Sequence, residues 1–156
     1  MLSRRADYGV RAMVDIALQH PTTRTIVSEI AKRQDISPSF LAKIVPRLAR
    51  AGLVRTSLGA AGGIALAAPP EEISLLQIIE AIDGPFALNL CSLNPAECQH
   101  YANCSACQVW GKAQTHLNQT LAQTRLSDLI RRQETPMAPW ADRSRATRKS
   151  KPINVR

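Results

Sequence analysis

Between Ser37 and Arg50 the chain carries two opposed stripes at helical spacing, and no other segment restricts the fold as strongly. Leu41, Ile44, Val45 and Leu48 make an apolar face, while Ser39, Lys43, Arg47 and Arg50 recur on the opposite one. Ser37 is a good N-cap, and Pro38 suits the first helical position, where its missing N–H costs nothing. A helix built this way lies on a core with its cations turned outward. Pro46 falls inside it and removes the bond to the Ala42 carbonyl, so a bend is expected there. An ordinary solvated helix would show the same opposition of faces, so the flanking segments decide what the stripe means.

Upstream, Val10, Met13, Val14, Ala17 and Leu18 repeat at helical spacing over residues 4–19, leaving Arg4, Arg11 and Asp15 for the outer face. A short helix fits residues 27–33 with Val27, Ile30 and Ala31 inward, and Gln34, Asp35 and Ile36 turn the chain. Downstream, short strands at 54–57 and 64–66 flank Gly59, Gly62 and Gly63, which permit the positive backbone angles of a hairpin. Short helix, tight turn, capped basic helix and hairpin in that order describe a winged helix-turn-helix. In that motif the last helix enters the major groove while surrounding groups hold phosphates. The expected fold is therefore mainly α with a small β-hairpin wing, followed by a long dimerisation helix.

A net charge of +8 points to a polyanionic partner. The charge is unevenly spread: residues 1–68 hold ten basic and four acidic side chains, residues 69–133 four and six, and residues 134–156 six and two. This suggests a winged DNA-binding domain over 1–68, a loop-and-helix region over 69–133, and a basic tail over 134–156 that is disordered for want of anything to bury. Aromatics are only 4% of the chain, so the core must be aliphatic. No apolar run approaches the roughly 20 residues that cross a bilayer, and no signal segment is visible, so a cytoplasmic protein without a membrane partner is expected. Catalytic triads, paired catalytic carboxylates and dinucleotide fingerprints are absent from the sequence, and the glycines belong to a hairpin, so the chain does not read as an enzyme.

Past the wing, Ser74 opens a short helix that Gly84 and Pro85 end. A longer helix over about 105–123 places Val109, Ala113, His116, Leu117 and Thr120 near one face beside Trp110. So small a domain would leave that stripe bare, which suggests a homodimer; packing within one chain is the alternative. Between these helices Cys91, Cys98, Cys104 and Cys107 are separated by six, five and two residues in a polar loop. Such a loop has no packing reason to hold four thiols, whereas thiolates ligate soft and borderline metals well. Disulfides are disfavoured in a reducing cytosol. Zinc sites with four cysteines usually show two close pairs, and only Cys104 and Cys107 form one. Iron-sulfur clusters tolerate irregular spacing. Iron-sulfur, zinc and redox-thiol chemistry all remain open on spacing alone.

The blocks Leu2 to Met13, Ile36 to Leu41, Leu48 to Val54, Gly59 to Ala67, and Pro69 to Ser74 with Ala81 to Gly84 match in order those of the IscR/NsrR family of iron-sulfur transcription regulators, which the chain resembles over about residues 1–133. The resemblance implies a homodimer that binds palindromic double-stranded DNA operators and holds a cluster, 2Fe-2S in preference to 4Fe-4S, on a three-cysteine loop. Cys91, Cys98 and Cys104 match those cysteines, with the first gap one residue longer than the commonest spacing. Cys107 falls where one branch places a histidine ligand, and Asp7 where another takes a carboxylate from the partner subunit. Both are candidates for the fourth ligand, and Cys107 is favoured because sulfur suits iron-sulfur iron. Leu58, Ile64 and Ala65 replace the usual basic and aromatic residues of the wing, leaving Arg55 as its only cation. DNA affinity should then lean on Arg4, Arg5, Lys43, Arg47 and Arg50, with Ser39 and Lys43 on bases and Arg47 and Arg50 on phosphates. An iron-free regulator with a zinc site or thiol switch, and an iron-sulfur accessory protein whose basic front serves only solubility, are the competing readings.

Overall fold

The first helix, α1 (Arg4–Gln19), is the beam on which the other elements are laid. A computed structural model describes residues 2–19, 24–57, 59 and 62–133; Leu58 and the basic tail at 134–156 lie outside the described residues. Met13, Val14, Ile16 and Ala17 are buried, as the helical periodicity requires, while Leu18 is largely exposed. Ala6, Gly9 and Ala12 are small and also buried, so neighbouring helices approach α1 closely. At Gly9 a methyl group would collide with Ile82, so glycine is what lets a later helix lie against α1 there.

Asp15 departs from expectation. It sits at 3% exposure rather than on an outer face, because α2 (Val27–Gln34) crosses α1 and brings Arg33 onto it. Arg33 donates from Nε to both carboxylate oxygens at 3.0 and 3.2 Å and from Nη2 at 2.8 Å, and Gln34 adds a bond at 3.1 Å. That hydrogen bonding raises the Arg33 pKa above its ordinary value, so the guanidinium stays charged. At the end of α2, Asp35 adopts the left-handed conformation (φ 52°), which Asp tolerates better than most residues, and the chain turns sharply. Arg11 bridges the turn: it donates to the Gln34 carbonyl and lies over the Tyr8 ring, which in turn meets Phe40 edge-on at 5.4 Å.

Helix α3 (Pro38–Arg50) follows with Pro38 in its first turn and runs through Pro46 without interruption. Pro46 is tolerated on the exposed side, where the freed Ala42 carbonyl can meet water. Leu41, Ile44, Val45 and Leu48 are buried, so the apolar stripe faces inward as the sequence indicates. Strands β1 (Val54–Ser57) and β2 (Gly63–Leu66) pair antiparallel with Val54 opposite Leu66 and Ser57 opposite Gly63. Only Gly59 of the three hairpin glycines has a positive φ (98°) among the described residues. Gly63 serves differently: a methyl there would press on the Thr25 carbonyl and the Arg24 side chain. That closeness reflects a pairing that no alternation in the sequence announces, since Thr25 exchanges two backbone bonds with Ile64 as a third rung of the sheet.

Helix α4 (Leu75–Asp83) carries a capping box in which Ser74 and Gln77 bond each other's backbone. It lies against α1 and α3, and its Ile78, Ile79 and Ile82 join the same core as Met13 and Leu41. After a short helix α5 (Leu90–Leu93) and two single 3₁₀ turns, α6 (Cys107–Gln123) returns the chain. A helix that the sequence pattern does not announce, α7 (Leu126–Gln133), then packs on α1 and buries Leu126 completely. Residue 68 thus marks a change of charge but not an end of the core, since Ile73 and Leu126 belong to one cluster with the winged elements. No helix among the described residues is long and apolar enough to cross a membrane.

Because Asp15 is buried while the Arg33 side chain keeps 37% exposure, removing the carboxylate leaves an arginine that water can only partly recover. Asp15→Asn should lower stability by about 2–3 kcal/mol, below the full cost of breaking a wholly buried pair, and the melting temperature by roughly 5–10 °C. Thermal denaturation followed by circular dichroism checks this.

Candidate nucleic-acid interface and thiol site

The outward face of α3 presents Ser39, Ala42, Lys43, Pro46 and Arg50, all exposed. Ser37 does not cap the helix through its side chain; its hydroxyl pairs with that of Ser39 at 2.8 Å, so the Ser39 hydroxyl is already oriented. Lys43 and Arg50 make no hydrogen bond or ion pair with the other described residues, and Arg4 is likewise exposed at the start of α1. Two of the expected contacts are occupied within the protein. Arg5 pairs with Asp83 at 3.7 Å, and Arg47 donates from Nη1 to the Ile82 carbonyl at 2.6 Å, although both remain exposed. Arg55 bonds the Ala67 carbonyl at 3.0 Å.

The wing is not as poor in cations as its own strands suggest. Thr25 pairs with β2, and this brings Arg24 alongside the hairpin, where its Nη1 donates to the Ser57 hydroxyl at 3.0 Å. Its position in the chain, far from the hairpin, conceals that role.

All four cysteines are free and half-buried. Asn89 opens α5, its Oδ1 accepting from the Ser92 N–H at 3.1 Å, the Ser92 hydroxyl at 2.7 Å and the Cys91 thiol at 3.2 Å. Cys98 and Cys104 follow the two 3₁₀ turns, and Cys107 opens α6. A hollow of about 380 Å³ is lined by Cys91 and Cys107, with Pro95, Tyr101 and Thr115 among the other lining residues, while Cys98 and Cys104 do not line it. Burial pushes the Cys91 thiol above its ordinary pKa, and repulsion from Cys98, Cys107 and Cys104 adds to the shift. The sequence-predicted thiols are thus neighbours. They are not yet a closed cage, since no three Cys, His, Asp or Glu side chains converge as a metal shell among the described residues. The donor set nevertheless fits an iron-sulfur cluster in kind: four free sulfurs lie within one short stretch of chain, and Cys91 of α5 and Cys107 of α6 face the same hollow. Asp7 stays exposed in the first turn of α1.

Four large apolar side chains are exposed near these thiols, among polar neighbours such as Glu97, Gln99 and Gln108. Val109 is 62% exposed, and Leu93, Tyr101 and Trp110 are similarly bare. Within α6 only Gln114 is buried; of the stripe predicted on that helix, Val109, His116 and Thr120 are exposed and Ala113 and Leu117 half-buried, so the described residues of its own chain cover it only in part.

Comparison with known proteins gives a consistent set of matches. The Rrf2 family, described as iron-dependent transcriptional regulators, matches residues 2–132. The transcriptional regulator IscR of Cereibacter sphaeroides is 34% identical over 145 residues, covering 86% of this chain and 90% of that one. Among solved structures, T. potens IscR superposes with a TM-score of 0.70 at 27% identity over 92% of this chain and 96% of the other. CymR, the global cysteine regulator of B. subtilis, gives a TM-score of 0.71 at 26% identity over 85% and 97%.

The raised Cys91 pKa has a direct consequence. Its thiol stays protonated across neutral pH and yields thiolate only at higher pH than an ordinary cysteine. In metal-free reduced protein, iodoacetamide should therefore label Cys91 more slowly than a cysteine in a short unstructured peptide at pH 8. The gap should narrow as pH rises, as read by mass spectrometry of the digest.

Proposed function

Since this chain belongs to the Rrf2 family of iron-dependent transcriptional regulators, we propose that a symmetric pair of chains reads duplex DNA through α3, and that its four thiols hold an iron-sulfur cluster governing that grip. Members of the family are transcriptional regulators and not enzymes, which removes the accessory-protein reading. DNA binding follows from the family, and the residue roles are our assignment. Ser39 and Lys43 meet base edges from the exposed face of α3, Arg50 and Arg4 meet phosphates, and Arg24 and Arg55 flank the wing. Arg5 and Arg47 contribute less than their charge suggests, because each is engaged at the end of α4.

Cys91, Cys98 and Cys104 would hold the cluster, with Cys107 or the partner's Asp7 completing it, in 2Fe-2S form in preference to 4Fe-4S. When bound, such a cluster supplies an iron-, redox- or nitric-oxide-sensitive centre. The observation that supports this reading is geometric: four free, half-buried cysteines fall within residues 91–107, and Cys91 and Cys107, from the helices on either side of the loop, line one hollow. A second copy covering Val109, Trp110, Leu93 and Tyr101 supplies the symmetry that a palindrome requires. The site of action is then the cytoplasm, with the chromosome.

A second reading is favoured by two observations: the thiols do not form a closed shell among the described residues, and the fold is shared with a cysteine regulator. In it the cysteines act as an iron-free thiol switch or zinc site. Anaerobic purification separates the two. We expect visible absorbance with stoichiometric iron and sulfide, abolished by Cys91→Ser or Cys104→Ser; a colourless protein holding zinc, or one that forms a reversible disulfide, would decide for the alternative.

The DNA-facing cations are tested separately by anisotropy titration over a range of salt. Arg50→Ala should flatten the dependence of log K on log salt by about 0.9 for each phosphate left without its cation. Lys43→Ala should cost about 1–3 kcal/mol and relax sequence preference at one base position.

A further inference from the structure

A short stretch of chain, residues 82–88, leads from the end of α4 to the thiol loop and is fastened at both ends. At the lower end Arg47 of α3 donates to the Ile82 carbonyl at 2.6 Å. Beside it Ser3 donates to Asp83 from its N–H at 3.2 Å and its hydroxyl at 2.7 Å. At the upper end stands Gln114, the one buried residue of α6. Its Oε1 accepts from the Leu88 N–H at 2.7 Å, and its Nε2 donates to the Phe86 carbonyl at 2.9 Å and to Asn118 at 2.8 Å. One side chain thus satisfies two peptide groups of an irregular segment and uses both its own N–H donors. A single amide seldom does this by accident, since each buried polar group left unmatched would cost about 1–3 kcal/mol.

The placement links the clamp to the thiols on both sides. Leu88 is followed directly by Asn89, which accepts from the Cys91 thiol. Cys107 opens α6 and lies seven residues before Gln114, two turns along the same face. A change that draws Cys91 and Cys107 together, or holds them apart, therefore shifts residues 86–88 against α6. Ile82 closes the path. It packs on Gly9 of α1 so tightly that no side chain fits there, and its carbonyl is held by α3.

We propose that Gln114 and Arg47 are positioning residues that fasten the two ends of this strap, so that the state of the thiols reaches the recognition helix through Ile82. This rests on the reading of the thiols as the sensor. Arg47 is on this account chiefly a latch between α3 and α4 and not a phosphate ligand.

The test uses the full chain, metal-free and reduced, with the duplex that wild-type protein selects from a random pool. Kd is measured before and after the thiols are blocked with N-ethylmaleimide. In the wild type, blocking should change Kd by about fivefold or more, a typical size for coupled sites. In Gln114→Ala the change should fall below about twofold, while the unblocked protein binds within about twofold of wild type, since the clamp carries half or more of the coupling. Should that variant fail to fold, Gln114→Glu gives the same reading, because it keeps an acceptor for Leu88 but no donor for Phe86. Arg47→Gln should weaken binding with an unchanged salt slope. A Gln114 variant that responds to blocking as strongly as wild type would overturn the strap while leaving the sensor reading intact. A slope that falls for Arg47→Gln as for Arg50→Ala would make Arg47 a phosphate ligand and overturn the latch. A wild type indifferent to blocking would overturn the sensor reading, and the strap with it.

Discussion

One buried carboxylate organises the DNA-binding half. Asp15 takes three bonds from Arg33 and one from Gln34, and so fixes how α2 crosses α1. Arg33 in turn donates to the Thr25 hydroxyl at 2.6 Å, and Thr25 is the residue that pairs with the wing at Ile64. A single ion pair therefore ties together the helix crossing, the turn before α3 and the residue that pairs with the hairpin. Burying a charge is costly, and here the cost is offset because every oxygen of Asp15 is bonded. Apolar packing alone would tolerate several nearby crossing angles; a bidentate contact tolerates few.

The other half of the chain does not form a separate unit beside this one. Helix α4 lies on α1 and α3, and after the thiol loop the backbone returns to bond Ile73 and Leu75 before α7 docks on α1. Helix α3 and helix α6, which Cys107 opens, both pack on α4. Helices packed on a common neighbour transmit small displacements to one another without a hinge. What the arrangement leaves bare is informative too: the cationic face of α3 and the exposed apolar side chains near the thiols are two surfaces that the described residues do not cover.

How much of this can be read from residue order differs from element to element, for physical reasons. Helices α1, α2, α3 and α4 and the hairpin are legible because each carries a complete local signal: an apolar stripe, a cap, or glycines between two short strands. Helix α7 is not, because it is short and its apolar residues Leu126, Leu129 and Ile130 gain meaning only against α1. Asp15 misleads because an acid one helical turn from Arg11 looks solvated until its partner, eighteen residues away, is brought to it. Arg24 escapes notice for the same reason, and Arg47 looks like a DNA-facing cation because helical spacing cannot reveal that a carbonyl of α4 lies within its reach.

The sequence by itself determined the winged helix-turn-helix, the inward and outward faces of α3, the gathering of sulfur in one loop and the family to which the chain belongs. These are set by periodicity and by residue chemistry within short windows. Only the tertiary structure decided which arginines bond within the molecule, that Gln114 clamps the chain between α4 and Cys91, and that Cys91 and Cys107 line the same hollow. Those facts depend on distances between residues far apart in the chain, and no local pattern encodes them until the core has closed.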